Sequence, residues 1–270
     1  MQSFTYVKHG DEHTVPLPPA DTDLLPGIPW GDACALFTPA YWYSQYLMRD
    51  QTGDPLLFRI GETFAEEVTV GLLGGHGIPA EVGLAAFRRL RDEGFISRLC
   101  TDQQALEDRL RAPLRIGQKH ITYRFWHQKS IYLAAAYKAL SRQVFCFEDA
   151  VLLRNELTAF EGVGPKTASW IVRNWLGSDQ VAILDVHIVR AGLLAGVFRR
   201  SDNVSRHYFG MEAKFLTFAR ALNIPTSTLD AIIWEMMRST PRLVKRVLDQ
   251  DVAEQASRRS PIMLTQLPVA

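Results

Sequence analysis

Apolar residues recur at three- and four-residue spacing through most of the chain. This period predicts helices at about 62–73, 79–93, 124–141, 149–160, 165–176, 185–194, 204–222, 227–237 and 243–256. Thr38-Pro39 reads as an N-cap with proline at the first helical position, opening an aromatic helix through Tyr41, Trp42, Tyr43 and Tyr46. Strand-like alternation is scarce, so the expected fold is mainly α with short connections. Residues 8–30 hold Pro16, Pro18, Pro19, Pro26 and Pro29 with Gly10 and Gly27, a density that breaks regular structure and predicts an extended arm or wrapping loop. No internal repeat and no low-complexity tract interrupts the pattern. The expected division is residues 1–60, a proline-rich arm and a helix packing on the C-terminal lobe; residues 61–200, a helical lobe; and residues 201–270, the C-terminal helical lobe. A ligand groove is expected between the two lobes.

Composition narrows the partners. At 270 residues, with 47% hydrophobic and 22% charged positions, the chain can bury one large core or two smaller ones. A net charge of +1 supplies no general basic field, so any nucleic-acid binding must come from local groups. No apolar run approaches the length of a membrane span, and the start, Met1 to His9, lacks a basic-then-apolar leader pattern, so a cytoplasmic protein is expected. Cys34, Cys100 and Cys146 are far apart and form no Cys-x-x-Cys pair, which fits reduced thiols and leaves a thiolate zinc site or an iron–sulfur cluster without ligands.

The most informative stretch is Gly162-Val163-Gly164-Pro165-Lys166-Thr167-Ala168, followed by Ile183-Leu184-Asp185-Val186-His187-Ile188-Val189-Arg190. Leu157, Phe160 and Val163 with Ala168, Ile171 and Val172 place apolar residues where two short helices close on each other, and Gly162 and Gly164 permit the tight turn of a helix-hairpin-helix. Unpaired amides at the start of the second helix, with the positive end of its dipole, make a phosphate site that needs no charged side chain. Such turns also join helices for packing alone. A Walker loop is excluded, because Pro165 stands where glycine must precede the Lys-Thr pair.

Lys166 and Asp185 are separated by one helix and a short loop, a spacing that lets both fold back towards one cleft. A deprotonated lysine amine attacks the sugar carbon that carries a base, and a carboxylate beside the sugar stabilises the positive charge that develops there. The plainer alternatives are a phosphate-contacting lysine and an aspartate that caps a helix. Asp185 is framed by Ile183, Leu184, Val186 and Ile188, which places it near a core where an ionised carboxylate needs a partner, and Lys166 is the candidate.

At this point the chain resembles the helix-hairpin-helix DNA glycosylases of the HhH-GPD superfamily, in the 8-oxoguanine glycosylase/AP lyase branch, and most of all the compact archaeal-type enzymes. The resemblance rests on residues 162–169, Val172-Arg173-Asn174, residues 182–190 and, more loosely, Leu229-Asp230-Ala231-Ile232-Ile233-Trp234. It implies two helical lobes with a DNA- and base-binding cleft between them, Lys166 as Schiff-base nucleophile and Asp185 as catalytic carboxylate. It also implies DNA contacts from Gly162, Val163, Gly164, His187 and Arg190, and a monovalent cation held by the carbonyls of Thr158, Phe160 and Val163, with no side-chain metal site. Trp170 and Trp234 become candidates for the base pocket, and His76, in Gly74-Gly75-His76-Gly77, for the wedge that fills the gap left by an extruded nucleotide. Trp170 is also a core candidate, and relatives carry a smaller or polar residue there.

The implied function is excision of a modified base from duplex DNA by a monomer, 8-oxoguanine foremost, with strand nicking by β-elimination. Two alternatives stand beside it: the same chemistry used in antiviral defence against a hypermodified phage base such as glucosylated hydroxymethylcytosine, and a non-catalytic hairpin module. Three further groups have structural readings first: Arg124, His127, Gln128 and Lys129 as a solvated helix face, Ser227 and Asp230 as a capping box, and Arg238, Arg242, Lys245 and Arg246 as a solvated charge run.

Overall fold

The computed structural model describes residues 1–49, 58–75 and 77–259. In chain order the elements are β1 (Gln2–Lys8), β2 (Asp11–Leu17), β3 (Asp23–Leu25), β4 (Ile28–Pro29), α1 (Pro39–Met48), α2 (Phe64–Leu73), α3 (Ala80–Asp92), α4 (Gln103–Arg111), β5 (Leu114–Ile116), β6 (Lys119–Ile121) and α5 (Trp126–Leu140). They continue with α6 (Ala150–Thr158), α7 (Pro165–Leu176), α8 (Val186–Leu194), α9 (Val204–Ala221), α10 (Thr226–Ser239) and α11 (Pro241–Arg259). The mainly helical expectation holds, and no helix among the described residues is long and apolar enough to cross a membrane.

The chain divides into two compact units, and the division differs from the expected lobes. One unit combines Met1–Met48, Val186–Asp202 and Ala231–Ala270; the other combines Arg49–Asp185 with Asn203–Asp230. The expected boundaries at 60 and 200 therefore move: α8 leaves the central segment, while α9 and the first turn of α10 join it. The reason is chemical, since side chains on α9 and α10 answer the backbone of residues 182–184, as described below.

In the first unit the proline-rich arm is not an extended loop. β1 and β2 pair antiparallel from Gln2↔Leu17 to Lys8↔Asp11, and the two-residue turn between them uses His9 at φ 54° and Gly10 at φ 93°. Pro16 is tolerated because a two-stranded ribbon leaves it on an edge, where a missing N–H breaks no ladder. Thr38 caps α1 as expected, its hydroxyl accepting the Tyr41 N–H at 3.1 Å. In α8, a Cβ on Gly192 would stand 2.3 Å from the Phe198 ring, so that glycine lets the chain after the helix fold back against it.

The second unit is built on buried helix stripes. Thr63 and Glu66 close a capping box at the start of α2. In its last turn, Gly71 admits Ile171 of α7, where a Cβ would stand 2.8 Å from Ile171 Cγ1. Val68 and Leu72 of α2, Phe87 and Leu90 of α3, Leu133 of α5 and Ile171 of α7 are at most 1% exposed. Each contributes about 1.5–3 kcal/mol by leaving water. This core fixes the buried face of α7 and leaves its N-terminus at the surface.

Candidate active site

The hairpin begins with α6, whose N-terminus is capped by Asp149 accepting the Val151 and Leu152 amides at 2.9 Å each. After α6 the chain turns through Phe160 N–H to Leu157 carbonyl and Val163 N–H to Phe160 carbonyl, both 3.0 Å, with Leu157, Phe160 and Val163 buried. The two glycines do different work. Gly162 sits at φ 80°, and a Cβ there would lie 2.1 Å from the Tyr132 ring. Gly164 has an ordinary φ of −84° and nothing within 4 Å of a Cβ, so its missing side chain leaves the mouth of the turn open.

Pro165 starts α7 at the first helical position, where its absent N–H is no loss, and Gly177 ends the helix at φ 62°. The first intrahelical bond runs from Ala168 N–H to Gly164 carbonyl at 2.9 Å. The amides of Lys166 and Thr167 therefore lie ahead of the helical ladder and point out of the positive end of the helix dipole. Lys166 is exposed, while Ala168, Ile171 and Val172 on the opposite side are fully buried.

Asp185 ends a segment that has no ladder to hold it. Residues 181–184 are 0–6% exposed and adopt no regular structure, so their polar groups need partners. Side chains supply them. The Ala182 N–H donates to Glu212 at 3.0 Å, the Ala182 carbonyl accepts from the Tyr208 hydroxyl at 2.8 Å, and the Leu184 N–H reaches the same hydroxyl oxygen at 3.4 Å. The Ile183 N–H donates to Asp230. Finally, the Asp185 N–H turns back onto the Ile183 carbonyl at 2.8 Å. Asp185 itself is half-buried.

Both acids are charge-paired with the hairpin helices. Glu212 meets Arg154 of α6 at 2.7 Å, and Asp230 meets Arg173 of α7 at 3.2 Å, every one of these side chains being at most 8% exposed. Breaking such a buried pair by removing one partner costs roughly 3–5 kcal/mol. Arg173 also lies 4.4 Å over the Phe58 ring and donates to Asn174 at 3.1 Å. The capping-box reading of Asp230 is corrected here. Ser227 lies inside α10, and its N–H is capped by Asp179 at 2.7 Å, so Asp230 is free to turn inward.

Burial raises the Asp230 carboxyl to about 6 from its ordinary 3.8, the Asp185 charge pushes it the same way, and Arg173 and the Ile183 amide oppose the rise. The folded chain thus holds this proton more tightly than the unfolded chain. The stability it contributes is complete below pH 3.8 and is lost as pH rises through 6. Asp230→Asn cannot undergo this loss, so from pH 4 to pH 7 the variant should gain on wild type by on the order of 2 kcal/mol, whatever its fixed offset. Urea unfolding of both proteins at the two pH values measures this, and parallel pH profiles would contradict it.

The remaining sequence candidates separate. Gly162, Val163, Gly164, Lys166, Trp170 and Asp185 belong to the second unit; His187 and Arg190 on α8 and Trp234 on α10 belong to the first. Trp170 is half-buried against the second-unit core, one turn beyond Lys166. Trp234 is 42% exposed beneath the Arg238 guanidinium at 4.5 Å. His76 lies outside the described residues. Arg242, Lys245 and Arg246 are exposed on α11, in keeping with a solvated run. The α5 face is less solvated than expected. Lys129 is half-buried 5.8 Å from the Tyr132 ring with its amine pulled below the usual lysine range by burial, and Gln128 donates to the Tyr132 hydroxyl at 2.7 Å. These contacts hold the ring that fills the space beside Gly162. Among the described residues no three His, Cys, Asp or Glu side chains converge as a metal site.

Sequence reasoning missed Arg154, Tyr208 and Glu212. Their signal was present: Glu212 shares the α9 stripe of Tyr208, Met211, Phe215 and Phe218, and Arg154 shares the α6 stripe of Ala150, Leu153 and Leu157. Opposite charges on two core-facing stripes announce a buried pair.

The sequence profile of the 8-oxoguanine DNA glycosylase family matches residues 63–224. The 8-oxoguanine DNA glycosylase/AP lyase of Saccharolobus islandicus is 31% identical over 137 residues, covering 47% of this chain and 64% of that protein. The enzyme of the same description from Metallosphaera sedula is 30% identical over 133 residues, covering 47% and 63%. The chain thus matches somewhat under two thirds of these relatives' length. Among solved structures, the 8-oxoguanine DNA glycosylase of Methanocaldococcus jannaschii superposes with a TM-score of 0.50 at 26% identity, covering 66% of this chain and 78% of that one. The Thermotoga maritima 8-oxoguanine DNA glycosylase gives 0.50 at 22% identity over 64% and 78%, which speaks for the fold.

Proposed function

The chain belongs to the 8-oxoguanine DNA glycosylase family, and on that premise we propose that it excises a modified base from duplex DNA and then nicks the strand, with Lys166 as nucleophile and Asp185 as the catalytic carboxylate. The observation that carries this reading is the tie between them: Glu212 and Asp230 each join α7, which presents Lys166, to the segment that ends in Asp185.

The hairpin amides of Lys166 and Thr167 donate to a backbone phosphate at the helix N-terminus, which would let a chain of net charge +1 hold DNA. The Lys166 Nζ lone pair bonds to the sugar C1′ as the electrons of the C1′–base bond leave with the base, which takes up a proton. The Asp185 carboxylate stabilises positive charge on the sugar as this bond breaks. The nitrogen lone pair then forms a second bond to C1′ as the C1′–O4′ bond breaks and O4′ takes up a proton, which leaves a protonated imine between Lys166 and C1′. Loss of a C2′ proton then expels the 3′ phosphate and cuts the strand. A monovalent cation would be held by the carbonyls of Thr158, Phe160 and Val163; the Phe160 oxygen that accepts the Val163 N–H keeps a second lone pair for it. Its role would be to join the hairpin to a phosphate. One copy of the chain suffices for each lesion.

The relatives' descriptions favour 8-oxoguanine. Trp170, half-buried one turn from Lys166, offers a ring face for an extruded base of either kind and keeps hypermodified cytosine in the test. Short duplexes carrying 8-oxoguanine, an abasic site or glucosylated hydroxymethylcytosine, mixed with the full chain and borohydride, decide the point. A covalent adduct on the 8-oxoguanine duplex is expected. An adduct only on the modified cytosine would transfer the substrate, base release without an adduct would replace Lys166 by water, and no release from any duplex would leave a binding module.

A further inference from the structure

Glu212 touches both halves of the candidate site. Its Oε1 accepts from the Ser169 hydroxyl at 3.2 Å and from the Ala182 N–H at 3.0 Å, while Oε2 is held by Arg154 at 2.7 Å. Ser169 follows Lys166 by one helical turn on α7, and Ala182 precedes Asp185 by three residues. One buried oxygen therefore joins the helix carrying the amine to the segment carrying the carboxylate. Tyr208, one turn before Glu212 on α9, completes the grip by bonding Ala182 and Leu184 on the same segment.

Resting on the Lys166 and Asp185 reading above, we propose that Glu212, with Tyr208, is a positioning residue that sets the separation of the amine from the carboxylate. Residues 181–184 have no strand or helix ladder of their own, so the side chains of Tyr208, Glu212 and Asp230 hold the segment that delivers Asp185. The charge of Glu212 matters as well as its shape. A glutamine there keeps an oxygen for Ala182 but turns an NH₂ group towards the Arg154 guanidinium, which loosens the α6 end of the clamp. A reacting group displaced by about 1 Å loses on the order of 10²-fold in rate.

A merely structural role for the Arg154–Glu212 pair would change the amount of folded protein and lower every activity together. A positioning role changes their ratio. Base release needs Lys166 and Asp185 at once, whereas imine formation on a preformed abasic site needs the amine and an aldehyde from which the base has already gone. The experiment uses the full chain as wild type, Glu212→Gln and Tyr208→Phe. It compares single-turnover release of whichever base wild type excises fastest with borohydride trapping on an abasic duplex, alongside thermal unfolding and binding to a duplex with a tetrahydrofuran site.

In Glu212→Gln, release should fall about 10- to 100-fold relative to trapping, with duplex affinity within about threefold of wild type. Tyr208→Phe deletes one hydroxyl and should shift the ratio the same way by about three- to tenfold. Should Glu212→Gln fail to fold, Tyr208→Phe decides alone. An active wild type whose ratio is unchanged in the folded variants overturns the positioning role. A wild type that neither releases base nor forms the adduct overturns the functional reading, and the positioning role with it.

Discussion

Lys166→Gln should abolish both the borohydride adduct and strand cleavage, a loss of at least about 10³-fold, while the protein still binds duplex DNA. The side chain is exposed in the first turn of α7 and makes no contribution to the buried Ala168, Ile171 and Val172 face, so the fold should not change. The phosphate site is made by main-chain amides and the helix dipole, which the substitution leaves in place. Binding therefore loses at most one side-chain contact, a change of about 0.9 in the slope of log affinity against log salt. A non-catalytic hairpin module makes the opposite forecast for chemistry, because its activity cannot depend on Lys166. Gel analysis of adduct and cleavage, with binding measured at two salt concentrations, separates the two. Cleavage that survives in Lys166→Gln would remove the lysine from the mechanism.

Much of this site is legible in the sequence. The helix predicted at 165–176 has those bounds in the structure, because proline, glycine and an amphipathic stripe all mark the same limits. The hairpin turn was likewise readable from its glycines, although their separate duties were not. Only the approach of Tyr132, remote in sequence, shows that Gly162 is needed for space as well as for its backbone angle.

What the sequence hides is physically of two kinds, short ribbons and distant side-chain partners. α4 and the β5–β6 ribbon are short, and their stability comes from packing on neighbours that a local window does not contain. The β1–β2 ribbon is hidden by Pro16 and the prolines that follow it, although Phe4 and Tyr6 alternate with Thr5 and Val7 at the period of a strand. Asp230 fits a local capping pattern, but Asp179, far away in sequence, takes the cap. For Asp230 the nearby partner gives way to a distant one, while the two ribbons pair locally. The side chains that hold the segment leading to Asp185 are of the distant kind, since Tyr208, Glu212 and Asp230 follow it in the chain and act back upon it.

Asp185→Asn should lower base release by roughly 10²–10⁴-fold, the range for losing a group that stabilises charge or moves a proton in the transition state. The variant keeps the side-chain shape at the end of the 181–185 segment, so Glu212, Tyr208 and Asp230 still hold the backbone there. Removing a negative charge near a polyanion leaves duplex binding unchanged or tighter. Trapping on a preformed abasic site should survive far better than base release, because the bond that develops charge on the sugar is already broken. This is the pattern expected of Glu212→Gln in exaggerated form: the clamp variant misplaces the carboxylate, and Asp185→Asn removes it. The double variant is therefore the sharper measurement. Once Asp185 is neutral, Glu212→Gln has no catalytic charge left to misplace, and its further effect on base release should shrink to about threefold or less. Fully multiplied losses in the double variant would mean that the two residues act independently.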